Sequence, residues 1–344
     1  MRFTELFAHD TDTQVVHLAG DGTVTTIMLP HELTDGGLAF IKNAKFLKTL
    51  TERAAATAIP GAAAIFDLKL WNGLTPESQA EWKQKLTAIG VSQNIPLSMA
   101  CLSAPLYQAK FSRWQGIVDG RQLGTTEIHP SAQIAQGVFI GEHVSIGPNV
   151  VIHAGSVVSS HVSIGADTVL FPHVVLYPFT QIGQGVRIHA NTTIGADGFG
   201  YVFDKGVHHK IWHTGGVIIQ DQVEIGANSS IDMGTFTPTV IGRGSRIDNQ
   251  VQIGHNTKIG VGCVLCGQAG IAGSAVLEDF VVLGGRAAIG PDAHIGKGCQ
   301  IAGGAMVNES AVWPAGSVLG GHPARDIKEW MRTFAWVRKN ALKS

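Results

Sequence analysis

The hydrophobic positions of this chain recur with a period of six residues. A first run of aliphatic residues begins at Ile128 and reaches Ile194 without a slip. A short second run starts at Ile219, and a third extends from Ile241 to Leu319. An amphipathic helix needs apolar spacings of three and four, and a half-buried strand needs strict alternation, so the pattern fits neither. A short repeat at a fixed period predicts a solenoid.

Each six-residue unit reads as an aliphatic residue, often a glycine, two variable residues, a small or β-branched residue and one more. This order predicts a short strand followed by a corner. We expect the glycine at the second position to supply the backbone freedom that a corner requires. Three units would close one triangular coil of a parallel β-helix. About ten coils, each rising about 4.8 Å, predict a prism roughly 45 Å long.

The limits of the six-residue pattern predict four segments. Residues 1–104 lack the pattern and mix strand and helix signals, which indicates a small α/β domain with strands at 23–29 and 62–66 and helices at 43–53 and 76–89. Pro105 is suited to a first helical position, so a linker helix is expected from 105 to 118. The predicted segments are an α/β domain at 1–104, a linker at 105–127, a β-helix at 128–322 and a C-terminal helix at 323–344.

The C-terminal segment is amphipathic and basic. Its apolar residues recur at spacings of three and four, and six basic residues against two acidic ones lie between Ala324 and Lys343. One interpretation is a helix that packs on the prism and exposes a solvated face. The other is a docking surface for an acidic protein partner. The two remain compatible, because packing and docking would use different faces.

Composition excludes several classes of partner and location. The formal net charge of the 344 residues is −1, so no nucleic acid or other strongly charged polymer is expected. No apolar run is long enough to span a membrane, and the N-terminus lacks the apolar core of a signal peptide. Four cysteines without a secretory signal favour the cytoplasm. Cys263 and Cys299 fall on inward slots and are expected to be core thiols rather than ligands of a metal.

Two interruptions of the period indicate surface loops, which are often binding loops in solenoids. The first lies between Ile194 and Ile219, and its histidines (His208, His209 and His213) are the kind of residue that binds a metal ion. No carboxylate or cysteine stands at ligand spacing, so no metal is expected. The second, at 233–240, is a shorter loop. His255 follows both, two positions after the inward Ile253, and is a candidate general base.

Five stretches of sequence carry a more specific resemblance. They are Leu38 to Phe46, Ala196 to Tyr201, Val217 to Ala227, Asp248 to Asn256 and Gly321 to Trp330. Together they resemble the UDP-3-O-acylglucosamine N-acyltransferases of lipid A biosynthesis, within the wider group of hexapeptide-repeat acyltransferases. The run Asp-Asn-Gln-Val-Gln-Ile-Gly-His-Asn is far more specific than the six-residue repeats.

The resemblance implies a left-handed β-helix and a homotrimer with active sites between neighbouring prisms. It implies transfer of a 3-hydroxyacyl group from acyl carrier protein to the 2-amine of UDP-3-O-acylglucosamine, which gives UDP-2,3-diacylglucosamine without a cofactor. His255 matches the family's catalytic base, and Gly273, one coil further, its oxyanion donor. Phe40 and Phe46 would stack on uracil and Asn43 would bond its edge. Further substrate-binding residues would be Asp197, Phe199, Tyr201, Asn249 and Gln252.

Alternatives remain at this stage. Phe40 and Phe46 could instead be a hydrophobic core pair beside a helix cap, and either Asp232 or Asp248 could orient His255. The chain has Met233 where the family usually has arginine, Trp212-His213 where it has Pro-Gln, and Phe46 where it has the uracil-stacking tyrosine. An N-acyltransferase that uses acyl-CoA on another nucleotide-linked amino sugar is a second hypothesis, and a non-catalytic β-helix binding protein is a third.

Overall fold

The computed structural model describes residues 1–55, 59–111, 119–321 and 327–341. The N-terminal part is a five-stranded sheet flanked by helices. Its strands lie in the order β1-β5-β4-β3-β2, with β1 antiparallel to β5 and the other neighbours parallel. The strands are β1 (Gln14–Leu18), β2 (Thr26–Ile27), β3 (Gly37–Ile41), β4 (Ile59–Asp67) and β5 (Leu86–Ser92).

Helices cover this sheet on two sides. All five residues of β3 are buried, as expected of a parallel strand with helices on both faces. The expected α/β fold of this part is confirmed. Along the chain the helices are α1 (Phe3–Phe7), α2 (Ala44–Ala54), α3 (Leu68–Asn72), α4 (Pro76–Lys85), α5 (Ile95–Phe111), α6 (Gly120–Leu123) and α7 (Ile327–Ala341), with a 3₁₀ turn at Pro30–Glu32.

The sequence prediction was wrong at two helices. The helix predicted at 76–89 ends at Lys85, because the apolar run that follows is the buried strand β5 between β1 and β4. The linker helix begins at Ile95, not at Pro105, which lies inside α5. Proline removes a helical hydrogen bond, and burial of Leu102 and Leu106 in the domain core offsets that loss. Residues 112–118 of the predicted helix lie outside the described residues.

The six-residue repeats form a triangular prism of three parallel sheets, and the predicted left-handed β-helix is confirmed. Face 1 has ten strands, which are Glu127–Ile128, Ser145–Ile146, Ser163–Ile164, Thr180–Ile182, Val217–Ile219, Thr239–Ile241, Lys258–Ile259, Val276–Leu277, His294–Ile295 and Val312–Trp313. Face 2 has ten, which are Gln133–Ile134, Val151–Ile152, Val169–Leu170, Arg187–Ile188, Glu224–Ile225, Arg246–Ile247, Val264–Leu265, Val282–Leu283, Gln300–Ile301 and Val318–Leu319. Face 3 has nine, which are Phe139–Ile140, Val157–Val158, Val175–Leu176, Thr193–Ala196, Ser230–Asp232, Gln252–Ile253, Gly270–Ile271, Ala288–Ile289 and Met306–Val307.

Aliphatic ladders and tight backbone contacts hold the coils together. Ile146, Ile164 and Ile182 pair in register on face 1 and are almost fully buried, as the repeat predicts. The expected role of the second-position glycine was wrong. The left-handed φ of a coil falls two residues later, for example 56° at His143, whereas Gly141 is needed because a Cβ there would lie 2.5 Å from the backbone nitrogen of Ser160.

The last helix, α7, carries exposed apolar side chains. Met331 and Phe334 are 60% and 55% exposed, so these two side chains are not buried against the described part of this chain. Within residues 1–55, 59–111, 119–321 and 327–341, no helix is both long and apolar enough to cross a membrane. The two cysteines expected in the core, Cys263 and Cys299, are fully buried there as free thiols.

Candidate active site

Both interruptions of the repeat leave the prism at the same corner, between face 3 and face 1. The first connects Thr193–Ala196 to Val217–Ile219 and contains a hairpin of Tyr201–Asp204 with Val207–Lys210. The second connects the next strand of face 3 to the next strand of face 1. His255 occupies this corner one coil later. Successive coils therefore stack two loops and a half-buried histidine on one edge.

The amide of Asn256 fixes the tautomer of the His255 ring. Asn256 Oδ1 accepts hydrogen bonds from the N–H of Thr235 at 3.1 Å and from its hydroxyl at 2.7 Å. Because a backbone N–H only donates, the amide atom at that position is the oxygen. His255 Nδ1 lies 2.9 Å from the same oxygen and must carry the proton. The ring nitrogen Nε2 is left with a free lone pair, as a general base requires.

Gly273 lies against the Nε2 edge of this ring, at the same corner of the following coil. A Cβ built on Gly273 would be 2.6 Å from both Cε1 and Nε2 of His255, so only glycine leaves the ring its place. Among the described residues no acceptor bonds the Gly273 N–H. An unpaired backbone donor therefore stands beside an imidazole nitrogen with a free lone pair. This pairing can bind a negative oxygen while the imidazole takes a proton.

A cavity of about 460 Å³ connects this corner to the N-terminal domain. His255 and Asn256 lie at one end, and Phe40 and Phe46 at the other. Lys42 also lines the cavity, with its Nζ 4.9 Å from the centroid of the Phe46 ring. Both phenylalanines contribute to the cavity wall, but they do not form a pair: Phe40 is 6% exposed in one core cluster of the N-terminal domain, and Phe46 packs against the other. Asn43 does cap α2, because its Oδ1 accepts from the N–H of Phe46 at 3.2 Å.

Comparison with known proteins places these features in a family. The model named "Bacterial transferase hexapeptide (six repeats)" matches residues 125–160 and 161–196. A UDP-3-O-acylglucosamine N-acyltransferase of Coxiella burnetii is 40% identical over 262 residues, which cover 74% of this chain and 70% of that protein. This chain belongs to the UDP-3-O-acylglucosamine N-acyltransferase family.

Other similar proteins match a smaller part. A UDP-3-O-acylglucosamine N-acyltransferase of Methylobacterium nodulans is 55% identical over 105 residues, and this match spans 30% of each chain. Among solved structures, the UDP-N-acetylglucosamine acyltransferase of Francisella novicida is 27% identical with a TM-score of 0.41, covering 61% of this chain and 71% of that one.

Several residues that the family resemblance suggests for substrate binding lie outside the cavity. Asn249 is at the corner between face 2 and face 3, where its Oδ1 accepts from the N–H of Ala227 at 2.7 Å. Gln252 points outward from face 3 and donates to Asp232 Oδ1 at 3.2 Å. Neither side chain lines the cavity that His255 lines.

The first loop carries the remaining three suggested residues. Asp197 forms an ion pair with Lys210 of the hairpin. Phe199 is 86% exposed, and its ring lies 5.1 Å from that of Tyr201. None of these three side chains lines the cavity. No group of three potential metal ligands occurs in the described part of the chain.

His213 of the first loop is buried behind His255 and was not recognised as part of the site from the sequence. Its ring is fully buried and meets the His255 ring edge to face, with centroids 5.2 Å apart. Its Nδ1 lies 2.9 Å from the Ile211 carbonyl oxygen, so Nδ1 carries the proton and the buried Nε2 has no partner in the described structure. Burial, and secondarily the nearby His255, lowers the pKa of His213 to about 4.

The carboxyl groups considered as partners of His255 are engaged elsewhere. Asp248 accepts from the N–H groups of Asn249 at 2.7 Å and Gly267 at 2.9 Å, at the other corner. Asp232 bonds Gln252, and burial raises the pKa of its carboxyl group. The hydrogen-bond partner of His255 is thus the neutral amide of Asn256. Asn256 directly follows His255 in the sequence, and this adjacency was the available signal for the contact.

Proposed function

We propose that this protein transfers a 3-hydroxyacyl group from acyl carrier protein to the 2-amine of UDP-3-O-(3-hydroxyacyl)glucosamine and forms UDP-2,3-diacylglucosamine. The observation that carries the proposal is a cleft lined by His255 and by aromatic side chains, with Gly273 packed against the Nε2 edge of the His255 ring. Membership of the N-acyltransferase family supports the same reaction. Neither acyl-CoA use nor a purely binding role is favoured by a specific feature of the site.

The chemistry follows from two groups. The amine nitrogen attacks the thioester carbon, and His255 Nε2 accepts the proton that the nitrogen loses. The oxygen of the tetrahedral intermediate gains negative charge and receives a hydrogen bond from the Gly273 N–H. When the C–S bond breaks, the imidazolium returns the proton to the leaving thiolate. General-base assistance of this kind is worth about 10²–10⁴-fold in rate.

The far end of the cleft suits a uridine diphosphate. Phe46 offers aromatic surface on which a uracil ring can stack, and Phe40, which is 6% exposed, adds only a small contact. The amide oxygen of Asn43 caps α2, which leaves its amide nitrogen to donate to the base. Lys42 and Lys258 line the same cavity and can neutralise the diphosphate. Phosphate groups in the middle would direct the sugar toward His255.

We further propose a cytoplasmic homotrimer that receives acyl carrier protein on α7. The outward side chains of the last coils are exposed on every face, with Met306 at 69%, Val312 at 74% and Val318 at 75%. Neighbouring copies would cover such surfaces. The exposed basic side chains of α7, such as Arg338, suit an acidic carrier protein. All four cysteines are free, which fits a reducing compartment.

A direct assay tests the reaction. Purified protein, 3-hydroxyacyl carrier protein and UDP-3-O-(3-hydroxyacyl)glucosamine should yield diacylated UDP-glucosamine, detected by mass spectrometry. We expect His255→Ala to reduce kcat by about 10²–10⁴-fold. His129→Ala, which removes an exposed histidine on the first coil, is the matched control. Turnover by His255→Ala at the unsubstituted rate would exclude the base assignment, and no product from the unsubstituted enzyme would exclude the substrate pair.

A further inference from the structure

One short loop connects the two ends of the cleft. Residues 234–238, here called the 234–238 loop, form the second interruption of the repeat. On one side, Thr235 donates its N–H and hydroxyl to Asn256 Oδ1, and the Thr237 carbonyl accepts from Asn256 Nδ2 at 3.2 Å. The loop thereby holds both ends of the amide that bonds His255. It decides which atom of Asn256 faces the imidazole.

The residue between these two threonines points the other way. The ring of Phe236 stacks on Phe40, with centroids 6.5 Å apart and an angle of 23° between the planes. Phe236 also packs against the apolar cluster of the N-terminal domain and lines the cavity beside Phe40. One chain segment therefore makes both contacts. Phe236 packs on the aromatic wall of the cleft, and its neighbours Thr235 and Thr237 hydrogen-bond Asn256, the partner of His255.

The loop has little freedom to move one of these contacts without the other. The first interruption bonds it from the opposite side, since the Thr214 N–H donates to the Thr235 carbonyl at 2.7 Å and the Gly215 N–H donates to that of Gly234 at 2.9 Å. A displacement of the Phe236 ring must therefore shift the peptide groups on either side of it. Those peptide groups are the ones that hydrogen-bond Asn256.

We propose that the 234–238 loop is a positioning element in which contact between Phe236 and Phe40 keeps His255 in its proton-accepting tautomer. The inference rests on the proposed function, in which His255 is the base and Phe40 contacts the nucleotide. A nucleotide that stacks on Phe40 then presses on the same loop that sets the base. Phe236 acts through Asn256 and is a positioning residue, because the loop places its ring on the aromatic wall and not on the reacting atoms.

The tautomer of His255 provides a readout that needs no substrate. In protein labelled with ¹⁵N in its histidine rings, we expect the His255 signals to report a protonated Nδ1 and an unprotonated Nε2. Phe236→Ala should mix the two tautomers. The loss of one ordinary hydrogen bond changes an equilibrium constant by about 5-fold to 10-fold, so the tautomer ratio should shift by that factor. The value of kcat should fall in proportion to the fraction of His255 that remains protonated at Nδ1. Phe236→Leu, which restores an apolar contact, should recover most of both.

Two further variants make the test decisive. Phe203→Ala removes an aromatic ring that is 64% exposed on the hairpin and should change neither the tautomer nor kcat. Thr235→Val deletes one bond to Asn256 with little change of volume, so it tests the same link if Phe236→Ala fails to fold. A rise in KM for the UDP-sugar with the tautomer and kcat unchanged in Phe236→Ala and Thr235→Val would overturn the proposal.

The same design separates this inference from the proposed function. The imidazole signals are recorded on the ligand-free protein, so they support or refute the role of the loop even if the enzyme acts on another acceptor. If the unsubstituted enzyme fails to acylate UDP-3-O-(3-hydroxyacyl)glucosamine, only the assigned substrate is lost. If Phe236→Ala folds and retains the His255 tautomer, only the positioning role is lost.

Discussion

Acid should destabilise this protein through His213. The ring is fully buried, and its Nε2 has no partner within the described residues, so a proton added there would create an unpaired donor and a buried positive charge. The pKa of His213 is accordingly lowered from 6.5 to about 4, mainly by burial. The unfolded chain carries no such penalty and takes up the proton near pH 6.5.

The sign and the size of the effect follow from linkage. Between pH 6.5 and about 4 the unfolded state binds a proton that the folded state refuses, so the free energy of unfolding falls as the pH falls. At about 1.4 kcal/mol per pH unit, the penalty reaches about 3 kcal/mol at pH 4 and is absent above pH 7. At pH 5 it amounts to about 2 kcal/mol, a large share of the stability of an ordinary domain.

His213→Gln removes the titrating group and keeps a polar side chain. We expect the unsubstituted protein to lose about 2 kcal/mol more of its unfolding free energy than the variant when the pH is lowered from 7.5 to 5, as measured by urea denaturation. His129→Gln, at an exposed position, controls for the loss of one histidine. A difference for His213→Gln that is the same at both pH values would refute the reasoning.

Two further substitutions test the prism and the first loop. Ile301→Ala removes a fully inward side chain and leaves a cavity, so it should lower the free energy of unfolding, measured by urea denaturation, by about 2–5 kcal/mol. Gln300→Ala, at the outward neighbour on the same strand, should change it by less than about 0.5 kcal/mol. Gly198→Ala would place a Cβ 2.5 Å from His255 Cβ and 2.7 Å from His213 Nε2, so kcat should fall at least about 10-fold in the acyl-transfer assay. Equal stabilities of the first pair, or full activity of Gly198→Ala, would contradict these packing arguments.

The prism could be predicted because its signal is local and repeated. Each inward residue, such as Ile164, meets the equivalent residue of the next coil, so the same physical demand reappears at every sixth position. In the N-terminal domain, the secondary structure depends on tertiary contacts. The residues of β5 form a strand because β1 and β4 flank them, and the interior position of Pro105 depends on burial of its helix. Neither fact is written in the local pattern.

The candidate site was likewise predictable only where its signal is local. His255 follows from its outward slot, and Gly273 from the resemblance and the spacing of one coil. Asn256, Phe236 and His213 escaped because their roles come from contacts across the first two loops. The sequence places Asn256 next to His255, but it does not show that the 234–238 loop fixes the orientation of the Asn256 amide.

The structure shows where the residues that depart from the family pattern lie. Met233 is 2% exposed in the core of the prism, so it cannot contact a substrate. Trp212 stacks near Tyr107 of α5, with centroids 4.6 Å apart, and donates its backbone N–H to the Ser103 hydroxyl at 3.1 Å. Only Phe46 lines the cleft.

These departures therefore act mainly on the placement of loops. The two successive coils that carry His255 and Gly273 are fixed by register with their neighbours, and no departure named above falls on either residue. Trp212 instead anchors the segment that places His213 behind His255 and bonds the 234–238 loop. Because a reacting group must be held to a fraction of an ångström, such loop contacts can tune rate and acceptor choice while the reaction stays the same.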